Sequence, residues 1–365
     1  MFKKIIIYSV HFFFSFFYVS IFLIFSSTDV NATDYNVTGS SNSISLNADD
    51  TLTLTGDGDI DHSGNNAVSA SNKEFPSNTT IINNAGNINA SGLFAINGDG
   101  STNLKIINSG TIEAENMFGI YGRNNTGLII NNSGTITSPK YALMFQGSDG
   151  TVITNSGTIR TTASGAYDAL QLDEDNMTVT NTGTIRSERY AVGGSGSGTV
   201  FINKGTITGG TGGAHYDFYL ASAFTSLSND QGGSDPIDFR GTLPTTYKII
   251  VNSTTDYGML WADHTSYMAG TTTLTIDTSS NLTANTYENV FKNFQASNIA
   301  AGTTGTCVCA NGTFNWTFSD SNSDNNWDLV IVNADTTNPS LSSSSPADNA
   351  TAVAKNSNIV LTFSE

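Results

Sequence analysis

Basic residues are scarce in this chain: its 365 residues include 14 lysines and arginines against 31 aspartates and glutamates. Because a nucleic-acid-binding face needs clustered Lys and Arg, the net charge of −17 argues against nucleic-acid partners. Charged residues make up only 12% of the chain, and so low a content of Lys, Glu and Arg excludes a helical bundle or a coiled coil. Isoleucine, valine, leucine and phenylalanine still recur throughout, which is not the composition of a disordered chain. The sequence therefore predicts a β-rich, turn-rich protein with a neutral polar surface.

Cysteine and histidine are also rare. Cys307 and Cys309 are separated by one residue, and no histidine lies near them in the sequence, so they cannot complete a zinc site. A disulfide that closes a ring over one residue is strained, and we interpret the pair as a local loop element without catalytic work. The four histidines, which lie far apart, are His11, His62, His215 and His264. Since no His-x-x-x-His pair, Gly-x-Ser-x-Gly elbow or P-loop is present either, we expect no catalytic, cofactor-binding or metal-binding residues.

The N-terminus has the features of an export signal. Lys3 and Lys4 give a positive start, an apolar run covers residues 5–25, and Val30-Asn31-Ala32 is a small-residue cleavage pattern. We therefore expect a signal peptide over residues 1–32, cleaved after Ala32, and an extracellular mature chain. The apolar run is also long enough to span a bilayer, so an uncleaved anchor is the alternative. Cleavage removes two lysines and one aspartate and leaves a net charge of −18.

Six segments of the chain repeat one pattern, in which an asparagine stands two residues before a glycine and Thr-Ile or Asn-Ile follows. The glycines, spaced 22 to 26 residues apart, are Gly86, Gly110, Gly134, Gly157, Gly183 and Gly205. A degenerate earlier copy covers residues 52–60, and a second strand-like piece follows five of the glycines, at 93–96, 117–120, 141–145, 167–172 and 190–192. A unit of about 24 residues cannot bury its apolar face alone, so the units must stack. The expected fold is all-β, a right-handed parallel β-helix with one repeat per coil.

The alternation of side chains along a strand assigns the two faces of each coil. The residues four before and two after each glycine are always apolar, as in Ile106 and Ile112, so we expect them to point inward. The asparagines of the six repeats share this inward parity: Asn84, Asn108, Asn132, Asn155, Asn181 and Asn203. Asparagines stacked every ~4.8 Å can hydrogen-bond along their column, and we expect such a ladder rather than a binding stripe. We also expect a left-handed backbone at this corner, for which Asn and the following Gly are suited.

These repeats, placed after an export signal, resemble the β-helical passenger regions of bacterial autotransporters and related surface adhesins. The resemblance covers residues 45–210. Residues 247–251 and 255–260 are similar to the β-rich segment that closes such passengers, and residues 314–318 and 326–332 look like strands of the same closing unit. The resemblance implies a β-helix with an N-terminal cap over residues 33–245 and a β-rich closing unit over residues 246–335.

The last residues depart from that family. Instead of a barrel of alternating strands, residues 335–340, 345–350 and 358–365 resemble the first strands of a bacterial Ig-like domain of the surface-layer-protein type. Such a β-sandwich needs about 100 residues. We therefore expect residues 336–365 to be the truncated start of this domain. The chain would then be the N-terminal part of a larger protein associated with the outer membrane or cell envelope through a further C-terminal region.

Carbohydrate-active enzymes also use parallel β-helices, so a polysaccharide lyase or hydrolase is the alternative function. It would need carboxylates on neighbouring coils, with basic residues nearby for a lyase. The best candidates are Asp168, Asp173, Glu174 and Asp175, with Arg160, Arg186 and Arg189 in adjacent segments. Because residues 173–175 have the pattern of a solvated turn and match no calcium-binding motif, we expect no enzyme activity and no bound metal.

Tyrosines recur near the second strand of the coils, at Tyr121, Tyr141, Tyr167, Tyr190 and Tyr216. They are candidates for a sugar-binding surface, although packing against their own sheet is the expected role. The sequence thus favours an exported surface protein with a structural or adhesive display role and no cofactor. Its expected partners are a host or environmental glycan or a cell-surface receptor, and a non-catalytic glycan binder is a further alternative.

Overall fold

A computed structural model describes residues 7–11, 20–24, 32–70, 79–163, 167–210, 216–262, 268–300, 303–334, 340–347, 350–356 and 358–364. The fold is all-β, with a parallel β-solenoid of about nine turns, as the repeat predicts. The described residues contain one 3₁₀ turn, Ala296–Asn298, and no α-helix. Among them no helix has the length and apolarity needed to cross a membrane. The chain divides into two compact units, residues 1–178 and 179–365.

In the first unit each coil runs through three strands, which we assign to sheets A, B and C. The sheet A strands are Asp34–Val37, Thr51–Leu54, Thr80–Asn84, Leu104–Asn108, Ile129–Asn132 and Val152–Asn155. The sheet B strands are Ser40–Ser41, Asp59–His62, Asn87–Ala90, Thr111–Ala114, Thr135–Ser138 and Thr158–Thr161. The sheet C strands are Ile44–Leu46, Asn66–Ala70, Phe94–Asn97, Phe118–Arg123, Leu143–Gln146 and Leu170–Gln171. The repeat glycine forms the corner between sheets A and B, and the second strand-like piece of the sequence forms sheet C.

Strands of successive coils pair in parallel and in the register that the repeat predicts. Ile106 lies beside Ile82 on one side and Ile130 on the other. The inward isoleucines of sheets A and B are fully buried, as are the sheet C residues Ile96 and Leu143. Because these side chains stack from coil to coil, they form one continuous apolar core in this unit. Full burial of one such side chain contributes about 1.5–3 kcal/mol to stability. The expected inward faces are confirmed.

Two described strands lie within the expected signal peptide. Ile7–His11 and Ser20–Ile24 pair with each other in antiparallel register. Val30 and Asn31 of the cleavage pattern lie outside the described residues, whereas Ala32 and Thr33 lie within them. Cleavage after Ala32 stays a prediction.

The second unit has the same three-sheet coil at its start. Its sheet A strands are Thr178–Asn181, Val200–Asn203, Ser226–Asn229, Thr246–Ile249 and Thr273–Ile276. Its sheet B strands are Thr184–Arg186 and Thr206–Thr208, and its sheet C strands are Val192–Gly194, Phe218–Leu220, Ile237–Thr242, Leu260–Trp261, Met268–Ala269 and Asn285–Lys292. Parallel pairing continues past residue 245, since Thr246–Ile249 pairs with the sheet A strands before and after it. The domain boundaries drawn from the sequence stay predictions.

Sheet B of the second unit ends at Thr206–Thr208, where the side chain of Gln231 occupies its edge. Gln231 Nε2 donates to the carbonyl oxygen of Ile207 at 2.9 Å, and the Ile207 N–H donates to Gln231 Oε1 at 2.7 Å. Gln231 stands two residues after the ladder residue Asn229, so it occupies the position that glycine has in the repeats. The side-chain amide of Gln231 therefore makes the two hydrogen bonds with Ile207 that a further sheet B strand would otherwise make.

Pairing changes from parallel to antiparallel at the strand Asn285–Lys292. This strand is parallel to Leu260–Trp261 and antiparallel to Trp327–Asn333. Gly312–Ser319 and Thr304–Cys309 then add two further antiparallel strands. In the C-terminal segment, Ser340–Ser345 pairs antiparallel with Val360–Ser364.

Candidate functional site

The repeat asparagines form the ladder that their spacing predicts. In the first unit, the Nδ2 of Asn84 donates to Asn108 Oδ1 at 2.8 Å, and Asn108 donates in the same way to Asn132 at 2.7 Å. Asn132 continues the column to Asn155 at 2.7 Å. These four side chains are buried. Since their amides bond to one another inside the coil, the column holds the coils together and presents no surface for a ligand.

The second unit carries a ladder of the same kind, which includes one asparagine besides those of the repeats. Asn181 donates to Asn203, and Asn203 donates to Asn229, each at 2.9 Å. Asn229 was not predicted, because no glycine follows it two residues later. Its Nδ2 also donates to the hydroxyl of the fully buried Tyr247 at 3.1 Å. Burial raises the pKa of Tyr247, so its hydroxyl stays neutral at the end of this column.

The backbone at the ladder corner differs from the expectation. The left-handed residues of the described chain include neither the ladder asparagines nor the repeat glycines. A Cβ atom on Gly110, Gly134 or Gly157 would instead overlap the carbonyl oxygen of the glycine one coil before. The expected left-handed corner is therefore wrong. Glycine is required because consecutive coils approach each other too closely for a side chain.

The carboxylates proposed for the enzyme alternative do not converge. Asp168 is buried at the start of sheet C, whereas Asp173, Glu174 and Asp175 lie on the turn that follows Leu170–Gln171. Asp173 Oδ1 accepts a hydrogen bond from its neighbour Gln171 at 2.8 Å. No group of three or more His, Cys, Asp or Glu side chains among the described residues could hold a metal ion.

The surroundings of the three candidate arginines are as follows. Arg160 is exposed on sheet B of the first unit. In the second unit, Arg186 forms an exposed ion pair with Glu188 at 3.3 Å. The guanidinium of Arg189 lies 4.1 Å from the ring centre of Tyr190. Among the histidines, His62 ends a sheet B strand, while His215 and His264 lie outside the described residues.

Asp217 is a buried carboxylic acid that lies outside the site residues considered from the sequence. The N–H groups of Gly209 and Asp238 donate to its two oxygens. Burial raises the pKa of Asp217 to about 7, and the charge of Asp235 adds to this, although the two N–H donors act against it. A signal existed in the sequence, because Tyr216-Asp217 repeats the pair Tyr167-Asp168 at the start of a sheet C strand.

A line of aromatic rings runs beside sheet C of the first unit. We call it the aromatic stripe, and its members, each half-buried, are Phe94, Phe118, Tyr121, Tyr141 and Tyr167. Phe94 stacks on Phe118 with ring centres 5.4 Å apart and on Tyr121 at 4.7 Å. Tyr141 contacts Phe118 and Tyr167 edge to face, at 5.4 and 5.2 Å. The stripe therefore follows the solenoid from coil to coil.

Polar groups border the aromatic stripe. The Tyr121 hydroxyl donates to Gln146 Oε1 at 2.8 Å. Arg123 pairs with Asp99 through two hydrogen bonds of 2.7 and 3.1 Å. The ammonium of Lys140 lies 5.5 Å from the ring centre of Tyr167. Rings with hydrogen-bonding groups at their margin are the usual lining of a site for small polar ligands.

The tyrosines of the second unit are packed differently. Tyr190 and Tyr216 are buried, in contrast to the tyrosines of the stripe. The guanidinium of Arg240 lies 5.1 Å from the ring centre of Tyr216 and donates to its hydroxyl at 3.2 Å. The five recurring tyrosines of the sequence are thus divided between a half-exposed stripe and a buried, arginine-covered set.

Cys307 and Cys309 form a disulfide on the edge strand Thr304–Cys309. Both cysteines are buried, and Val308 between them is exposed. Their Cα atoms are 5.3 Å apart, within the usual range for a disulfide. The pair is local, as the sequence indicated, but it lies on a strand and not in the loop that we expected.

Residues 335–365 match the family model of a bacterial Ig-like domain, which confirms the resemblance at the C-terminus. The match includes the antiparallel strands Ser340–Ser345 and Val360–Ser364. Neither the curated proteins nor the solved structures contain a match to the chain. Bacterial Ig-like domains occur in bacterial surface proteins. A β-solenoid that carries such a segment fits a surface protein.

Proposed function

We propose that the chain is an exported surface protein that displays its solenoid for adhesion and catalyses no reaction. The observation that carries this proposal is the Ig-like segment at residues 335–365 of a chain whose solenoid precedes it. The resemblance of the repeats to autotransporter passengers and surface adhesins supports the same role. Further support comes from the acidic residues, since Asp168 is buried and Asp173 lies in the segment between the strands Leu170–Gln171 and Thr178–Asn181.

A second candidate function is the binding of a neutral glycan along the aromatic stripe. Sugar rings offer apolar C–H faces and hydroxyl groups, which match half-exposed aromatic rings bordered by Gln146, Arg123 and Lys140. Since the rings follow successive coils, several weak contacts with one polymer can add by multivalency. The net charge of −17 favours neutral over acidic glycans.

Binding and turnover can be separated with the mature chain, residues 33–365, applied to cells, mucin and an array of neutral glycans. We expect retention on at least one of these surfaces and no release of reducing ends or unsaturated uronates. Tyr141→Ala and Tyr167→Ala should weaken glycan binding at least tenfold if the stripe is the contact surface. Tyr35→Ala is the matched control, because Tyr35 is half-buried on sheet A.

Two results would contradict these proposals. Sugar release that Asp168→Ala or Asp173→Ala abolishes would replace the display role by a lyase or hydrolase. Equal glycan binding by the stripe variants and by Tyr35→Ala would contradict the proposal that the aromatic stripe binds the glycan. It would not contradict the adhesive role itself.

A further inference from the structure

Thr33, the residue after the expected cleavage point, is held at both its backbone groups. Its N–H donates to Asp50 Oδ1 at 2.8 Å, and its carbonyl oxygen accepts from the Thr51 N–H at 3.0 Å. The strand Asp34–Val37 then pairs with Thr51–Leu54. Ordered pairing of the first sheet A strand thus begins at the residue that cleavage would make the N-terminus.

Asp50, the acceptor of the Thr33 N–H, is a buried carboxylate. Asp50 is only 1% exposed, and it lies between the strand Ile44–Leu46 and the strand Thr51–Leu54. The second oxygen, Oδ2, accepts from the Asn47 N–H at 2.7 Å, so the carboxylate is held in position by its own turn. A buried carboxylate loses much of its hydration, and a cation is the partner that best offsets this cost.

We propose that Asp50 is the binding site for the α-ammonium group that processing creates at Thr33. Hydrolysis of the Ala32–Thr33 bond adds one water, leaving a carboxylate on Ala32 and an amine on Thr33. A free α-amino group has a pKa near 7.7–8.0, so the amine takes up a proton at neutral pH. The hydrogen bond from Thr33 N to the Asp50 carboxylate then becomes an ion pair as well, because its donor now also carries a charge. Processing thereby fastens the first coil to the second.

The site also discriminates between cleavage points. Each residue of extended chain spans about 3.3–3.6 Å. In the structure, Thr33 N lies 2.8 Å from Asp50 Oδ1. Cleavage one residue earlier or later would place the ammonium group about 3.3–3.6 Å further along the chain, away from this carboxylate. The geometry therefore selects Thr33, in agreement with the cleavage pattern that ends at Ala32. This inference depends on the export signal and is independent of the adhesive role.

Three forms of the chain test the proposal: one that starts with a free Thr33, one that starts with an N-acetylated Thr33, and one that keeps Ala32. All three retain an N–H at Thr33, and only the first carries an ammonium at that atom. We expect the thermal midpoint of the first form to exceed those of the other two by about 2–4 °C. Equal midpoints would overturn the proposal. This comparison needs no substitution and therefore does not depend on the folding of a variant.

Two substitutions assign the effect to Asp50. Asp50→Asn should remove the difference between the free and acetylated forms. Asp34→Asn is the control, because Asp34 is an exposed carboxylate next to Thr33, and it should preserve the difference. Mass spectrometry of the exported protein should find Thr33 first, and a mature chain that begins elsewhere or still carries Phe25 would contradict the assignment.

Discussion

Asn132 shows why asparagine suits an inward position between apolar stacks. Its Oδ1 accepts from Asn108, and its Nδ2 donates to Asn155 Oδ1 and to the carbonyl oxygens of Gly134 and Thr158. One side chain therefore serves as donor to the next coil and acceptor from the previous one. The side-chain amide of asparagine is suited to this because it holds a hydrogen-bond donor and an acceptor in one fixed plane.

Replacement of Asn132 by alanine should lower the free energy of unfolding by about 1–3 kcal/mol, because it leaves buried groups of Asn108 and Asn155 without their partner. Urea-induced unfolding measures this loss. Asn131→Ala is the matched control, since the side chain of Asn131 lies on the outer face of the same strand. Losses of equal size in the two variants would show that the ladder does not stabilise the coil.

Asp217 should make stability depend on pH. Its pKa is about 7 in the folded chain, against 3.8 for an ordinary aspartate. Between these values the folded state holds a proton that the unfolded state has lost, so the free energy of unfolding should fall as pH rises from about 4 to 7 and level off above 7. The slope is at most about 1.4 kcal/mol per pH unit.

Urea midpoints at pH 5 and pH 8 measure this dependence. Asp217→Asn cannot titrate and should flatten the profile, even if the variant is less stable at both values. An unchanged slope in the variant would assign the pH dependence to other carboxylates, such as Asp230, whose pKa burial also raises.

Elements could be predicted from the sequence where the repeat is intact. Ile129–Asn132 and Thr135–Ser138 flank Gly134 as its pattern requires. In the coil of Ser226–Asn229, Gln231 replaces the glycine, and only the alternation of Leu227 and Asn229 remains as a signal. The ladder of the six repeat asparagines was predictable because each of these six coils carries an asparagine at the same position. The hydrogen-bond partners of Asp50 and Asp217 were not predictable, because Thr33 and Gly209 come close to these carboxyl groups only through folding.

The stacked glycines give a prediction at the scale of the coil. Gly134→Ala should destabilise the chain by more than about 2 kcal/mol, because its Cβ would meet the backbone of the Gly110 coil, which cannot move without breaking sheet pairing. Gly56→Ala is the matched control: no atom lies within 4 Å of its added Cβ. That variant should be neutral or slightly more stable, since alanine restricts the unfolded chain. Similar denaturation curves for both variants would contradict the close approach of the coils.

At the scale of the whole molecule, unbalanced charge opposes folding. Even if each of the 14 basic residues paired with one acid, 17 of the 31 acidic side chains would have no basic partner. The ion pairs Arg123–Asp99 and Arg186–Glu188 lie at the surface, where such pairs contribute little. Repulsion among the remaining carboxylates therefore dominates the surface electrostatics.

Salt should consequently stabilise the chain. The Debye length falls from about 30 Å at 0.01 M to about 3 Å at 1 M ionic strength, which screens the repulsion between distant carboxylates. We expect the thermal midpoint to rise with NaCl at pH 7 and to rise less at pH 4, where part of the carboxylates are neutral. A midpoint that falls with NaCl would mean that attractive ion pairs outweigh the repulsion.

The exposed end of a parallel sheet is a template on which a second chain can add and fibres can grow. At sheet B of the second unit this template is already occupied, because both hydrogen-bonding groups of Ile207 are bound to Gln231. A second copy that docked beside Thr206–Thr208 would have to break both bonds first. A single glutamine side chain is therefore enough to block the addition of a strand at Ile207.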